Sequence, residues 1–152
     1  MTPSKMREKV VAERVKWVKE MLKSIRSLPA ETYEEFRSDP RTVAAAESYL
    51  RRGLEALLDL GRHLLAKGFG KGVPEYKQIA VQLERFDVLS PDDAKLMRVL
   101  AGYRNRLVHL YQEISDEEIY EICTGEIQDM EHILRSIAKW IKDHPEMIDR
   151  EL

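Results

Sequence analysis

The amino-acid sequence predicts an all-α fold, an antiparallel bundle of about five helices. Apolar residues recur at helical spacing along almost the whole chain, and no segment alternates apolar and polar residues as a half-buried strand does. The stretches between the periodic segments are short, which favours consecutive helices that pack side by side in opposite directions. With 152 residues, the chain is long enough to bury a core without metals or disulfides. We therefore expect one helical domain over residues 1–152.

Two helices are expected in the first half of the chain. The first covers residues 5–27, and its apolar face consists of Val11, Val15, Val18, Leu22 and Ile25. The second covers residues 40–67, because Asp39 is a favourable N-cap residue and Pro40 suits the first helical position. Gly68 is expected to cap the C-terminus of this second helix.

Three further helices are expected in the second half. The third helix covers residues 75–87, and its apolar stripe consists of Tyr76, Ile79, Leu83 and Phe86. The fourth begins at the Ser-Pro-Asp-Asp sequence of residues 90–93 and continues to about residue 111. The fifth covers residues 116–143, because Ser115 and Glu118 have the spacing of a capping box.

The composition gives no global argument for a nucleic-acid partner. The formal net charge is −2, whereas a dedicated nucleic-acid-binding protein is usually markedly basic. Any contact with RNA therefore has to come from a local basic cluster. One such cluster is formed by three arginines of the second helix, Arg51, Arg52 and Arg62. The alternative, which we favour, is a solvated face on which these arginines pair with Glu47, Glu55 and Asp59.

Cysteine usage and hydropathy favour a cytoplasmic protein. Cys123 is the only cysteine and lies in an apolar stripe, which predicts a buried, unreactive thiol. A chain with one cysteine forms no internal disulfide, as is usual in a reducing compartment. The N-terminal residues are charged throughout, and no apolar stretch has the length of a membrane span.

One segment, Tyr-Arg-Asn-Arg-Leu-Val-His-Leu-Tyr at residues 103–111, combines side chains that are typical of catalytic sites. Taken singly, each has an ordinary explanation. Tyr111 fits a core aromatic residue, His109 fits the cap of the last helical carbonyls, and Arg104 fits an ion pair with a nearby carboxylate. Together, Arg104, Asn105, His109 and Tyr111 form a spacing that chance produces rarely, which favours a functional site.

The sequence RNRLVHLY of residues 104–111 resembles the Arg-x4-His-x-Tyr motif of HepT-like HEPN proteins, which commonly have Asn after the Arg. The resemblance extends over nearly the whole chain. It includes the segments EALLDLGRHLLAKG, YKQIAVQLERFDVLS, SPDDAKLMRVLAGYRN and ISDEEIYEI, which follow one another in the order of the family. The fold that this resemblance implies is a HEPN-type four-helix core within the bundle.

The resemblance also implies a function. The family is associated with RNA cleavage that needs neither metal nor other cofactor, and its members act as toxins whose antitoxin is a minimal nucleotidyltransferase. It implies a homodimer in which two motifs face each other, and Gly102 offers a place for close approach of a second backbone. For this sequence, the resemblance implies that Arg104 and His109 are catalytic and that Asn105 supports them. Tyr111 is then the acceptor of the adenylyl groups that silence the toxin.

These side chains suit the cleavage of RNA by its own 2′-hydroxyl. An imidazole exchanges a proton near neutral pH, and a guanidinium stabilises the charge that develops on the phosphate. On an ideal helix, however, Arg104 and His109 point about 140° apart. Either the long arginine side chain wraps around the helix, or the functional pair comes from two subunits. The amide of Asn105, one turn before His109, is expected to orient the imidazole.

Other functions compete with this hypothesis. A non-catalytic HEPN module that docks a nucleotidyltransferase or binds a nucleotide would carry the same motif. A structural helical bundle with an accidental motif is the third alternative. The remaining histidines show no metal-ligand spacing and are expected at the surface: His63, His132 and His144.

Overall fold

The structure of the protein, a computed structural model, describes residues 4–109 and 114–150. These residues form an all-α fold, as the sequence predicts. The helices of the described residues are α1 (Glu8–Arg26), α2 (Tyr33–Arg37), α3 (Pro40–His63), α4 (Tyr76–Arg85), α5 (Pro91–Val108), α6 (Asp116–Glu121) and α7 (Ile127–Asp143). Two π-helical turns, Leu64–Gly68 and Ile122–Glu126, and a 3-10 turn, Pro145–Met147, complete the helical structure of the described residues.

Side-chain caps fix the starts of three of the predicted helices. The carboxylate of Asp39 accepts the backbone N–H of Arg41 at 2.9 Å at the start of α3. The hydroxyls of Ser90 and Ser115 accept backbone N–H groups at the starts of α5 and α6, at 3.1 and 3.2 Å. Each cap satisfies a backbone donor that has no partner within its helix, which is why these polar residues end the preceding loops.

The first helix begins at Glu8 rather than at residue 5, and three further helix boundaries differ from the sequence predictions. Gly68 does not cap α3, because the helix continues through Leu64–Gly68 as a π-helical turn, and the left-handed glycine is Gly70 with φ 65°. The predicted fifth helix is divided into α6 and α7 by the turn at Ile122–Glu126. The fourth ends at Val108, and the remainder of its predicted range, residues 110 and 111, lies outside the described residues.

Two short features were not predicted. The five-residue helix α2 begins at its cap Thr32 and buries Phe36 against the ring of Tyr120, with 5.4 Å between ring centroids. Met6–Arg7 and Ile148–Asp149 pair as parallel two-residue strands, which join the two ends of the described chain. Two residues are too few to produce an alternating pattern, so no periodicity signals these strands.

The apolar stripes of the helices meet in one hydrophobic core. Its fully covered members include Val18 of α1, Leu50, Leu54 and Leu57 of α3, Met97 of α5, and Met130 and Ile137 of α7. Cys123 is buried as predicted, and loss of solvent raises the pKa of its thiol to about 12. Among the described helices, none combines the length and the apolar character needed to cross a bilayer.

Candidate functional site

The motif lies at the C-terminal end of α5. Arg104 and Asn105 belong to the last full turn of the helix, whereas His109 is its C-cap residue, with φ −93° and ψ 113°. The backbone N–H of His109 still donates to the carbonyl of Asn105 at 3.2 Å. The extended ψ of His109 turns the chain that follows it away from the helix axis.

Arg104, Asn105 and His109 line a single cleft of about 340 Å³. The opposite wall comes from the end of α3 and from the start of α4 with the residues before it: Arg62, Pro74, Glu75, Tyr76 and Lys77. One chain therefore brings three of the four predicted site residues together. The fourth, Tyr111, lies outside the described residues.

Arg104 is held in this cleft by three weak contacts. Its guanidinium carbon lies 4.5 Å from the centre of the Tyr76 ring. Its Nη1 donates to Oδ1 of Asn105 at 3.4 Å, and its Nε lies 3.4 Å from Oε1 of Glu55. The contact with Glu55 is close enough for an ion pair but lacks hydrogen-bond geometry, so the buried Nε has no hydrogen-bond acceptor among the described residues. The expected pairing of Arg104 with a carboxylate is thus present only in a loose form.

Arg62 holds the opposite wall of the cleft in place. Its guanidinium donates to the carbonyls of Val73 and Pro74 at 3.1 and 2.8 Å and to Asp59 at 3.1 Å. The hydroxyl of Tyr76 donates to the same oxygen of Asp59 at 3.2 Å. Burial, followed by the charge of Asp59, raises the pKa of Tyr76 above its usual value.

The favoured interpretation of the basic residues of α3 is confirmed for two of them. Arg62 pairs with Asp59 at 3.1 Å, and Arg51 pairs with Glu55 at 3.4 Å. Arg62 also lines the cleft, so it forms its ion pair with Asp59 while it lies beside the motif.

The other polar residues of the motif helix tie it to the final helices. Arg106 donates to both carboxylate oxygens of Glu118 at 2.8 and 3.1 Å, and this hydrogen bonding lowers the pKa of Glu118. The hydroxyl of Tyr103 donates to Glu126 at 2.6 Å, and burial together with this bond raises the pKa of Tyr103 to about 12. These contacts join α5 to α6 and to the turn that follows α6.

Tyr76 and Lys77 are cleft residues that sequence reasoning missed. Tyr76 was expected only in the apolar stripe of its helix, and it does pack partly against the core. Lys77 crosses to the motif helix, where its Cε lies 3.8 Å from the position that a Cβ on Gly102 would occupy. No spacing rule relates residues 76 and 77 to residue 104, because their proximity arises from the packing of α4 against α5.

The other histidines make structural contacts away from the cleft. His132 is exposed as expected, and its Nε2 lies 2.8 Å from Asp93. His63 and His144 are half-buried, which differs from their expected surface placement. The Nε2 of His63 accepts the backbone N–H of Arg7 at 3.2 Å, and burial lowers the pKa of His63. The ring of His144 stacks on Trp140 at 3.9 Å.

A family model described as "Ribonuclease HepT-like" matches residues 18–137, most of the chain. The chain belongs to this HepT-like family. A relative in the family, the tRNA nuclease HepT of Aphanizomenon flos-aquae, is 22% identical over 133 residues, which cover 87% of this chain and 90% of that protein. Family membership confirms the resemblance on which the assignment of the motif residues depends.

Solved structures with a similar fold include chains from two toxin–antitoxin structures. The tri-AMPylated HEPN toxin of Shewanella oneidensis, in complex with its MNT antitoxin, has a TM-score of 0.77 and 18% identity, covering 86% of this chain and 97% of its own. A toxin–antitoxin structure with AMP-PNP gives a TM-score of 0.76 and 18% identity, covering 87% of this chain and 99% of its own. The cytosolic protein YutE of Bacillus subtilis, of unknown function, gives 0.75 and 17% identity, covering 92% and 94%. These similarities confirm the HEPN-type fold of the HepT-like chain.

Proposed function

We propose that this HepT-like chain is the ribonuclease toxin of a toxin–antitoxin pair and acts on RNA in the cytoplasm. The observation that carries the proposal is the single cleft that collects Arg104, Asn105 and His109. Lys77 adds a further positive charge to the cleft, although the net charge of the whole chain is −2. A relative named as a tRNA nuclease and a family described as ribonucleases support an RNA substrate.

The proposed reaction is attack of a ribose 2′-oxygen on the adjacent phosphorus. A new bond forms between the 2′-oxygen and phosphorus, the bond to the 5′-oxygen breaks, and the products are a 2′,3′-cyclic phosphate and a 5′-hydroxyl. His109 transfers a proton, either from the 2′-hydroxyl or to the departing 5′-oxygen. Arg104 stabilises the charge on the phosphate oxygens, and Asn105 supports this pair. The RNA supplies its own nucleophile, so the proposed step needs no metal-bound water.

The proposal includes two protein partners. A second copy of the chain is expected to place its motif opposite the first, and a minimal nucleotidyltransferase is expected to silence the toxin by adenylylation of Tyr111. One structural relative is described as a tri-AMPylated HEPN toxin in complex with an MNT antitoxin, which supports both the partner and the modification.

The proposed chemistry is tested by comparing three single substitutions. Arg104→Ala and His109→Ala are expected to lower the rate of RNA cleavage by about a hundredfold or more, because they remove charge stabilisation and proton transfer. Arg106→Ala is the matched control, since Arg106 is bound by Glu118 and does not line the cleft. It is expected to cleave within about threefold of the wild-type rate, because exposed ion pairs contribute little to stability.

Cleavage by the wild-type protein should survive EDTA and leave 2′,3′-cyclic phosphate ends on the RNA. Chelator-sensitive cleavage, or wild-type rates in His109→Ala, would overturn the proposed chemistry. Binding of the nucleotidyltransferase without any RNA cleavage by the isolated chain would favour the non-catalytic docking module instead.

A further inference from the structure

The three arginines around the motif are held in different ways. Arg62 donates to three oxygen acceptors, and Arg106 donates to both oxygens of one carboxylate. Within the described part of the chain, the only hydrogen bond from the Arg104 side chain is the one to Asn105, whose length of 3.4 Å makes it weak. Its guanidinium carbon also lies 4.5 Å from the centre of the ring of Tyr76.

An aromatic ring holds a guanidinium without using its N–H groups. The attraction acts between the positive charge and the face of the ring, and the N–H groups, which lie in the guanidinium plane, are not consumed. A carboxylate partner would instead occupy two of the five donors in a bidentate pair. Arg104 is thus oriented in the cleft while most of its donors remain available for the oxygens of a phosphate.

We propose that Tyr76 is a positioning residue of this site, whose ring holds Arg104 in the orientation that binds the phosphate of the RNA. The inference rests on the proposed function for the identity of the anion, and on the geometry of Tyr76 for everything else. Tyr76 is suited to this role because its own position is fixed. Its hydroxyl is bound to Asp59 at 3.2 Å, and the guanidinium carbon of Arg62 lies 4.6 Å from its ring centre.

Glu55 is the group that competes with the phosphate for Arg104. Its Oε1 lies 3.4 Å from the Arg104 Nε and 3.4 Å from Nη1 of Arg51, so it is already shared between two arginines. Without the ring of Tyr76, a small movement of Arg104 would complete a hydrogen-bonded ion pair with Glu55. The ring therefore limits Arg104 to a loose ion pair with Glu55.

The inference is tested with Tyr76→Phe and Tyr76→Leu. Tyr76→Phe keeps the ring but loses the hydrogen bond to Asp59, so it should retain much more of the wild-type kcat than Tyr76→Leu. Tyr76→Leu removes the ring and should lower kcat by about ten- to hundredfold, as expected when a catalytic group shifts by about 1 Å, with a smaller change in KM. Adding Glu55→Gln to Tyr76→Leu should recover part of the lost kcat, because the competing charge is gone.

A second measurement reports on Arg104 without any activity. In a ¹⁵N-labelled protein, the Nε–H resonance of Arg104, assigned by its disappearance in Arg104→Lys, should carry the ring-current shift of Tyr76. The shift should persist in Tyr76→Phe and vanish in Tyr76→Leu. If circular dichroism shows that Tyr76→Leu is unfolded, Tyr76→Met replaces it with the same expectations. Tyr33→Leu is the matched control, because Tyr33 has an arginine, Arg37, 5.6 Å from its ring but lies outside the cleft.

The two measurements separate the inference from the proposed function. A wild-type protein that cleaves no RNA refutes the proposed function, while the Arg104 resonance still decides whether Tyr76 holds the guanidinium. An Arg104 resonance that does not move in folded Tyr76→Leu overturns the inference. So does a wild-type kcat in that variant, or a loss of kcat in Tyr33→Leu equal to that in Tyr76→Leu.

Discussion

Tyr111 follows His109 by two residues, just beyond the end of the motif helix. Tyr111 itself lies outside the described residues, and its role as the modified residue stays a prediction. An adenylyl group on its oxygen would bring a negatively charged phosphodiester close to Arg104, where it would take the place of the phosphate of the RNA.

We therefore predict that the partner nucleotidyltransferase and ATP add adenylate mass at Tyr111, with release of pyrophosphate. RNA cleavage should fall in proportion to the modified fraction, as measured by intact-mass spectrometry beside a cleavage assay. Tyr111→Phe should fold, remain unmodified and remain toxic when the partner is expressed with it. Equal silencing of Tyr111→Phe, or an adenylate on another residue, would show that the partner inhibits by docking.

Residues that are close in sequence were easier to assign to the site than residues brought close by packing. Arg104, Asn105 and His109 form a local motif, and the structure places them in one cleft. Tyr76 and Lys77 lie nearly thirty residues earlier, and their side chains alone suggest a core aromatic and a solvated charge. Only the packing of α4 beside α5 reveals that they face Arg104 and Gly102.

At the scale of elements, helices were predictable where a cap and an apolar stripe coincide. Asp39, Ser90 and Ser115 each begin a helix in the structure as they do in the sequence prediction. The π-helical turn at Ile122–Glu126 was not predictable, because it inserts into a continuous apolar stripe without a proline. Gly68 was wrongly predicted to cap α3, because it has the residue type of a cap but lies within the helical turn Leu64–Gly68.

The packing of α3 against α4 and α5 depends on Gly61. A Cβ at this position would lie 2.9 Å from Cγ2 of Ile79, 3.1 Å from Cδ1 of Leu83 and 3.3 Å from Cε of Met97. Gly125, within the second π-helical turn, has no neighbour within 4 Å of such a Cβ, and its φ is not positive. Comparing alanine substitutions at the two glycines therefore separates two effects on stability: steric crowding in the core, and the general preference of helices for alanine over glycine.

We predict that Gly61→Ala lowers the free energy of unfolding by about 1–2 kcal/mol. Overpacking of a core costs about 1–3 kcal/mol, which exceeds the gain of up to about 1 kcal/mol from replacing a helical glycine. Gly125→Ala, which has only the gain, should be neutral or more stable by up to about 1 kcal/mol. Urea unfolding of both variants measures the difference in the free energy of unfolding. Equal stability of the two would show that the side chains around Gly61 move to accommodate the methyl group without loss of stability.

At the scale of the whole molecule, the open face of α5 is where a second copy is expected. Val99 is 45% exposed, and it lies on the same side of the helix as Gly102. The space over Gly102 is partly occupied by Lys77 of the same chain. We therefore expect a partner subunit to contact Val99 rather than Gly102.

We predict that the wild-type protein is a dimer in solution and that Val99→Glu makes it monomeric. In a symmetric dimer, the introduced carboxylate would lie against the same carboxylate of the second copy or against an apolar surface. Both arrangements are unfavourable, because like charges repel and an unpaired charge is costly to bury. Trp17→Glu is the matched control, because Trp17 of α1 is similarly exposed, at 40%, but lies on another helix. Light scattering after size exclusion should give the dimer mass for the control and the monomer mass for Val99→Glu.

The activity of that monomer decides what the second subunit contributes. The cleft of one chain already holds Arg104, Asn105 and His109, and His109 is exposed to solvent. A facing subunit would exclude water from this open side and strengthen the interaction between Arg104 and the phosphate, because charges interact more strongly in a lower dielectric. We therefore expect monomeric Val99→Glu to bind RNA but to lose about tenfold or more in kcat. A monomer with the full wild-type kcat would confine the site to one chain, and a wild-type protein that is monomeric at every concentration would refute the dimer itself.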